Sequence, residues 1–206
     1  MEAFTTFKAP AVPFDQPNVD TDQIIPSRFL RKPRGDGCHP YLFHDAANRP
    51  DGTPNPDFIL NDPVFATARI MVSMRNFGCG SSREGAVWAL FDRGFRAVIA
   101  PSFGDIFYSN ALKNGMLPVV LDEETCAPIR AALHAAPGSE IAIDLPSQTV
   151  TGPDGRVIGF DIDPSRKQAL IDGEDEITAT MRYMDRINAF EVAAEHTAPW
   201  LASRPG

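Results

Sequence analysis

The alternation of strand-like and helix-like segments between residues 68 and 121 constrains the fold of this chain more than any other feature. Three short apolar runs suit buried strands: ARIMVSM (68–74), RAVIA (96–100) and MLPVVL (116–121). The two segments between them, about 83–94 and 102–114, show helical spacing of apolar residues and end at glycines. Strands that alternate with helices predict parallel strands joined by crossovers, and therefore an α/β domain.

The rest of the chain is less regular in sequence. Residues 1–66 contain many Pro, Asp and Asn residues, and we expect them to be irregular. Within them, the 31–58 loop is too rich in Pro and Gly for regular structure, and a loop of that length is usually functional or mobile.

The C-terminal part is expected to add a helix, a hairpin and a tail. Residues 123–136 predict the helix, and residues 140–163 predict a β-hairpin with its turn at 152–155. The tail, about 164–200, is expected to be helical and broken near Gly173. The chain is therefore predicted to be an α/β domain with an antiparallel addition.

Charge and cysteine content exclude several classes of protein. The net charge of −8 over 206 residues argues against a nucleic-acid partner, because phosphate binding needs an excess of Lys and Arg. Cys38, Cys79 and Cys126 are odd in number and far apart, so they predict neither a disulfide framework nor a metal or iron–sulfur site within the chain. The sequence shows neither a signal peptide nor an apolar run of membrane-spanning length, so we expect a cytoplasmic protein.

The segment NFGCGSSRE (76–84), called the serine turn below, stands between the first predicted strand and the first predicted helix. It is not a dinucleotide fingerprint, because Arg83 stands where the third glycine is needed, and it lacks the Gly-Lys-Ser/Thr ending of a Walker loop. A nucleophile elbow requires glycines two positions before and two positions after the serine, and neither Ser81 nor Ser82 has both. No histidine lies in a local pattern that would make Cys79 a nucleophile.

Two interpretations of the serine turn remain. In the first, a strand end, a turn and a helix N-terminus form an anion site, in which Arg83 holds a carboxylate and the pKa of a serine hydroxyl is lowered. In the second, Ser81 only caps the helix, since Ser81 and Glu84 have the spacing of a capping box, and the glycines only turn the chain. Ser102 and Asp105 likewise predict the start of the next helix.

The amino-acid sequences of several segments strongly resemble those of the small subunits of 3-isopropylmalate dehydratase, in the aconitase superfamily. The segments that carry the resemblance cover nearly the whole chain: NVDTDQIIPSRFL (18–30), PNPDFILN (54–61), NFGCGSSRE (76–84), VIAPSFGDIFYSNALKNGMLPV (98–119) and the region of FDID and LIDGEDEI (160–177). The resemblance implies a three-layer β/β/α swivelling domain spanning residues 1–206. It also implies a long, flexible substrate loop at about 31–58 and a helical tail at about 164–200.

The resemblance also implies the activity. The family is a hydro-lyase of leucine biosynthesis that isomerises 2- and 3-isopropylmalate, small hydroxy-dicarboxylic acids, by removing water and adding it back. Such a reaction needs a base, a Lewis acid and cations for the carboxylates. In the family the Lewis acid is a [4Fe-4S] cluster held by a separate large subunit. This chain is then expected to hold no metal itself and to be inactive without that partner.

Six residues take roles by this resemblance. Ser81 would be the base, acting as an alkoxide, and Arg83 would act beside it in the catalytic centre. The expected substrate-binding residues are Ser82, which would hold carboxylate with Arg83, the loop residues Arg28 and Arg31, and Asp22 of the DTD run.

The chain departs from the family pattern after GSSRE. The family usually continues with His-Ala-Pro, and this chain has Gly85-Ala86-Val87. The departure keeps two alternatives open: a subunit for another alkylmalate, such as a methyl- or dimethylmalate, and a non-catalytic paralogue that binds a dicarboxylate.

Overall fold

The structure, a computed structural model, describes residues 1–31, 34–198 and 200, which form a mixed seven-stranded sheet with helices. The strands are β1 (Thr6–Phe14), β2 (Ile70–Ser73), β3 (Ala97–Ala100), β4 (Leu117–Val120), β5 (Glu140–Asp144), β6 (Thr149–Thr151) and β7 (Val157–Gly159). Their order across the sheet is β4-β3-β2-β1-β5-β6-β7, and the neighbours from β4 to β1 are parallel while those from β1 to β7 are antiparallel. The fold is α/β, as the sequence predicts.

The strand β1 corrects the expectation that residues 1–66 are irregular. It lies in the middle of the sheet: Thr6–Pro10 pairs with β5, and Ala11–Phe14 pairs with β2. Pro10 and Pro13 hide the strand in the sequence, because proline lacks an N–H donor and is rare inside sheets. They are tolerated here because β1 changes its partner at residues 10–11, so that away from this junction each residue pairs with a strand on one side only.

The helices connect and cover the strands. They are α1 (Thr21–Ile24), α2 (His44–Ala47), α3 (Glu84–Asp92), α4 (Asp105–Lys113), α5 (Glu123–Ala135), α6 (Pro164–Asp172), α7 (Glu176–Met181) and α8 (Met184–Thr197). None of these helices is both long enough and apolar enough to cross a membrane.

Two apolar clusters fill the two faces of the sheet. Val12 and Phe14 of β1 point into the first cluster, which includes the buried face of α3, whereas Ala9 and Ala11 point into the second, which includes that of α5. This alternation follows from the two-residue period of a strand. The 31–58 loop contributes to the first cluster, where Phe43 stacks on Phe14 with ring centroids 4.9 Å apart. The described residues of the loop, 31 and 34–58, form the helical turn α2 and short 3-10 turns, and no strand is found among them.

The antiparallel part is a three-stranded meander rather than the single hairpin that the sequence suggests. The expected turn at 152–155 joins β6 to β7, where the Gly155 N–H donates to the Gly152 carbonyl at 3.0 Å. A second turn at 145–148 divides the longer predicted arm into β5 and β6. After β7 the chain is helical: α6 ends at Gly173, which has a φ of 68°, and α7 and α8 follow.

Candidate active site

Three loops meet at the carboxyl ends of the neighbouring parallel strands β1, β2 and β3. Backbone hydrogen bonds join them in pairs: Gly78 N to Val19 O (2.7 Å), Thr21 N to Cys79 O (2.9 Å), Phe77 N to Ser102 O (3.0 Å) and Gly104 N to Phe77 O (2.9 Å). The carboxyl ends of parallel strands are where open α/β sheets bind ligands. The serine turn lies between the other two loops and is held by both.

The backbones at this junction are close enough to require glycine. Gly78 has a φ of 72°, and a Cβ there would lie 2.2 Å from Cγ of Phe107. At Gly104 a Cβ would lie 2.5 Å from the Gly78 carbonyl oxygen. No real Cβ fits at such distances, so these two glycines fix the course of the serine turn.

The hydroxyl of Ser81 is not a helix cap, which corrects the capping-box prediction for Ser81 and Glu84. α3 begins at Glu84 with Arg83 as its N-cap residue, and no side chain caps it. The physical reason is that Arg83 is extended, with φ −136° and ψ 99°, so the helix starts too late for Ser81 to reach its first N–H groups. Ser81 and Ser82 are both exposed. The interpretation of Ser81 as a mere cap is therefore wrong.

The capping box of this region lies on the neighbouring loop. The Asp20 carboxylate accepts from the Gln23 N–H at 2.7 Å, and the Gln23 side chain accepts from the Asp20 N–H at 3.0 Å. Ser102 does not cap α4 either, since the N-cap residue there is Gly104. The Ser102 hydroxyl accepts from the Asn76 N–H at 2.9 Å and so ties two of the site loops together.

The structure brings Asp22 and Arg83 together as an ion pair. The Arg83 side chain is 15% exposed, and the Asp22 carboxylate also accepts from the Ser27 N–H at 3.0 Å. The hydrogen bond from Arg83 lowers the pKa of Asp22, and the same bond raises the pKa of Arg83. Both groups are therefore charged at neutral pH, and Asp22 contacts the predicted carboxylate-binding residue.

Two residues at the site have no signal in the local sequence. Thr21 is 2% exposed, and its hydroxyl donates to the Ser81 carbonyl at 2.9 Å. Asn114 at the end of α4 donates to the Glu84 carboxylate at 2.8 Å and accepts from the Trp88 indole at 3.1 Å. These contacts join residues 26 to 60 positions apart, so short motifs cannot reveal them.

Cys79 has the environment of an unreactive thiol. Burial raises its pKa, and the negative charge of Asp20 raises it further. Within residues 1–31, 34–198 and 200, no three His, Cys, Asp or Glu side chains form a group that could hold a metal ion.

Arg28 is engaged by a residue of the 31–58 loop, and Arg31 is exposed. Arg28 pairs with Asp45, with one bond of 3.0 Å, and its guanidinium lies 4.6 Å from the Phe29 ring centroid. This hydrogen bonding lowers the pKa of Asp45 to about 2, with a smaller contribution from His44. Arg31 is exposed and adjoins residues 32 and 33, which lie outside the described residues.

The position of the family departure contacts the start of the loop. Gly85 is buried in the first turn of α3, and a Cβ there would lie 3.0 Å from Cδ2 of Leu30. Leu30 itself is 42% exposed. Because residue 85 has no side chain, Leu30 occupies the space beside it, and Leu30 also faces solvent.

Family models and full-length relatives identify the family. The aconitase C-terminal domain model matches residues 1–124, and the LeuD_N model matches residues 127–164. The 3-isopropylmalate dehydratase small subunit 1 of Bordetella parapertussis is 47% identical, with 100% of this chain and 99% of the relative covered. The chain belongs to the family of 3-isopropylmalate dehydratase small subunits. The small subunit of Magnetococcus marinus, 46% identical over 97% of this chain and 98% of its own, supports the same membership.

A solved member of the family shares the fold. The crystal structure of 3-isopropylmalate dehydratase (LeuD) from Methanocaldococcus jannaschii has a TM-score of 0.60 and 25% identity, covering 91% of this chain and 98% of its own. Family membership and the shared fold confirm the resemblance noted in the sequence, including the expectation of a dehydratase subunit.

Proposed function

We propose that this chain is the small subunit of a heteromeric hydro-lyase that interconverts 2- and 3-isopropylmalate in leucine biosynthesis. The observation that carries the proposal is the exposed Ser81–Ser82 pair beside Arg83 at the carboxyl ends of the parallel strands, in a chain matched over its full length by small subunits of that enzyme. The whole chain, 1–206, would act as one swivelling domain in the cytoplasm.

Arg83 binds a substrate carboxylate in this proposal. A guanidinium can hold a carboxylate through two parallel hydrogen bonds, and Asp22 already holds this one in place through one edge. Arg83 is charged at neutral pH like any arginine, and the hydrogen bond to Asp22 raises its pKa further. The exposed Ser82 hydroxyl supplies a further donor to the same carboxylate.

Ser81 is the base. Its hydroxyl is exposed and is not engaged as a helix cap, so it can face a substrate C–H bond next to a carboxylate. Arg83 and the N-terminus of α3, a nine-residue helix, favour the alkoxide over the neutral hydroxyl. The alkoxide takes the proton when water leaves, and the hydroxyl returns it when water is added to the neighbouring carbon.

The large subunit completes the site. It would carry a [4Fe-4S] cluster, which supplies the Lewis acid for the departing hydroxyl when bound. The two serines lie at the surface beside the largely buried Arg83, where a partner can close over them and exclude water.

The start of the loop would contact the side group of the substrate. Leu30 offers apolar surface next to Gly85, while Arg28 and Arg31, on either side of Leu30 in the chain, offer positive charge. The contact between Gly85 and Leu30 also favours a second candidate, a dehydratase of another alkylmalate, because the side-chain space at residue 85 differs from the family pattern.

The test is a reconstitution under anaerobic conditions with the cognate large subunit. Dehydration of 2- and 3-isopropylmalate, methylmalate and dimethylmalate is followed by the absorbance of the unsaturated intermediate. We expect isopropylmalate to have the highest kcat/KM and the Ser81→Ala variant to lose at least 1,000-fold in kcat, about 4 kcal/mol. Turnover of a smaller alkylmalate alone would establish the second candidate. A complex that binds these acids without turnover would overturn both and leave a binding protein.

A further inference from the structure

Three consecutive residues of the loop after β1, Asp20–Asp22, make separate contacts at the site. Asp20 caps α1, Asp22 holds the Arg83 guanidinium, and Thr21 between them contacts the backbone of the turn. We propose that Thr21 is a positioning residue, which fixes the peptide that carries Ser81 and thereby aims the base. This inference rests on the proposed function.

Thr21 holds the turn at two points. Its N–H donates to the Cys79 carbonyl at 2.9 Å, and its hydroxyl donates to the Ser81 carbonyl at 2.9 Å. Gly80 lies between these two carbonyls, with a φ of 90°, and is exposed. Glycine rotates more freely than any other residue, so Gly80 is where the serine turn would pivot without a second anchor. The hydroxyl of Thr21 supplies that anchor on the serine side of the pivot.

The orientation of one peptide follows from this anchor. In a trans peptide the carbonyl and the next N–H point in opposite directions. Because the Ser81 carbonyl points at the buried Thr21, the Ser82 N–H points away from it. The same bond therefore sets the direction of a backbone donor next to the Ser81 side chain, where it can bind a substrate oxygen.

Thr21 is rigid enough for this role. It is 2% exposed, and its carbonyl accepts from the Ile25 N–H at 3.0 Å within the turn that Asp20 and Gln23 cap. Ile24 of the same turn is fully buried in the first apolar cluster. Because Thr21 is fixed in the core, its hydroxyl holds the exposed Ser81 in a fixed position. Loss of that hydrogen bond alone is therefore expected to lower the rate.

The experiment compares variants at residue 21 that keep or remove the hydroxyl group. Thr21→Val keeps the shape and removes the hydroxyl, whereas Thr21→Ser keeps the hydroxyl and removes a methyl group. We expect Thr21→Val in the reconstituted enzyme to lower kcat by 10- to 100-fold with KM changed less than threefold, and Thr21→Ser to keep at least a third of wild-type kcat. Thr197→Val is the matched control, since its hydroxyl also donates to a backbone carbonyl, Ala193 at 3.0 Å, in the remote α8. It should leave kcat unchanged.

A second pair covers the case in which Thr21→Val does not fold. Thr21→Ser and Thr21→Ala differ only in the hydroxyl, and a kcat ratio of ten or more between them supports the inference. Equal kcat for wild type and Thr21→Val, or for Thr21→Ser and Thr21→Ala, would overturn the inference, provided that the two proteins compared have similar melting temperatures. The proposed function fails separately, if the wild-type complex turns over no alkylmalate.

Discussion

The serine turn (76–84) and the 27–58 segment both flank the candidate site, but different forces hold them. Backbone hydrogen bonds from two neighbouring loops and contacts that admit only glycine hold the serine turn. In the 27–58 segment, Arg28 is held by an exposed ion pair with Asp45. Beneath it, aromatic residues anchor the segment to the first apolar cluster.

The difference matches the demands of the two regions. A base must be placed to within a fraction of an ångström, and backbone bonds at the ends of buried strands provide that rigidity. A surface that receives a side group or a partner subunit can adjust, and exposed ion pairs permit adjustment because each contributes at most about 1 kcal/mol.

The largest effect should come from closing the space beside Gly78. We expect Gly78→Ala to destabilise the protein by at least ~3 kcal/mol, because the new Cβ would meet the ring of the buried Phe107 at 2.2 Å. Gly52→Ala is the matched control in the 27–58 segment: its φ is 83°, and no atom lies within 4 Å of the added Cβ. That variant should lose only ~1–2 kcal/mol, from the left-handed backbone. Urea denaturation measures both, and equal losses would contradict the steric argument.

The next effect concerns Asn76, the first residue of the serine turn, which has a left-handed backbone and contacts the left-handed Asn18. Asn76 has a φ of 61°, and its amide donates to the Asn18 side chain at 2.9 Å. Asn76→Ala should cost ~1–2 kcal/mol, because it adds backbone strain and removes this bond. Asn76→Gly removes only the bond and should cost less in the same denaturation experiment. If glycine proved the worse of the two, backbone strain would not be the cause.

The two arginine–aspartate pairs should differ in their effect on catalysis. Asp22→Asn removes the charge that orients Arg83, so we expect kcat/KM of the reconstituted enzyme to fall about tenfold, or about 1.4 kcal/mol. Asp45→Asn loosens only the exposed Arg28 and should change kcat/KM less than threefold. A larger loss from Asp45→Asn would place Arg28, and not Arg83, as the main carboxylate contact.

The smallest effect is a change in one titration. The pKa of Asp45 is lowered to about 2, chiefly by Arg28, so this pair is fully formed above pH 3.8 and is lost as the pH falls toward 2. Arg28→Gln should raise the pKa of Asp45 toward 3.8, as measured by carboxyl carbon chemical shifts. An unchanged value would assign the shift to His44.

The sequence predicts the parallel part of the fold well, because β2, β3 and β4 are short apolar runs with helices between them. It misses β1, since Pro10 and Pro13 are tolerated only through a pairing pattern that depends on strands far along the chain. The sequence predicts the antiparallel part but not its division into β5 and β6, because the turn at 145–148 has a weaker signal than the glycine-rich turn at 152–155.

The sequence predicts the serine turn as the candidate site, but it does not predict the contacts within that turn. The spacing of a capping box occurs both at Ser81–Glu84 and at Asp20–Gln23, and only the second forms. The extended backbone of Arg83 prevents the first box from forming. That backbone depends on the loops that follow β1, β2 and β3. The contact of Thr21 with Ser81 spans 60 positions and follows from the fold alone.

The central position of β1 has a consequence for synthesis of the chain. This strand leaves the ribosome before its partners, since its parallel partner begins at residue 70 and its antiparallel partner at residue 140. Pairings between such distant segments form slowly, and an unpaired strand can join a strand of another nascent chain. Pro10 and Pro13 remove two donors from that waiting strand, which makes it a poor template for aggregation. The prolines that obscure β1 in the sequence thus protect it until its own partners are made.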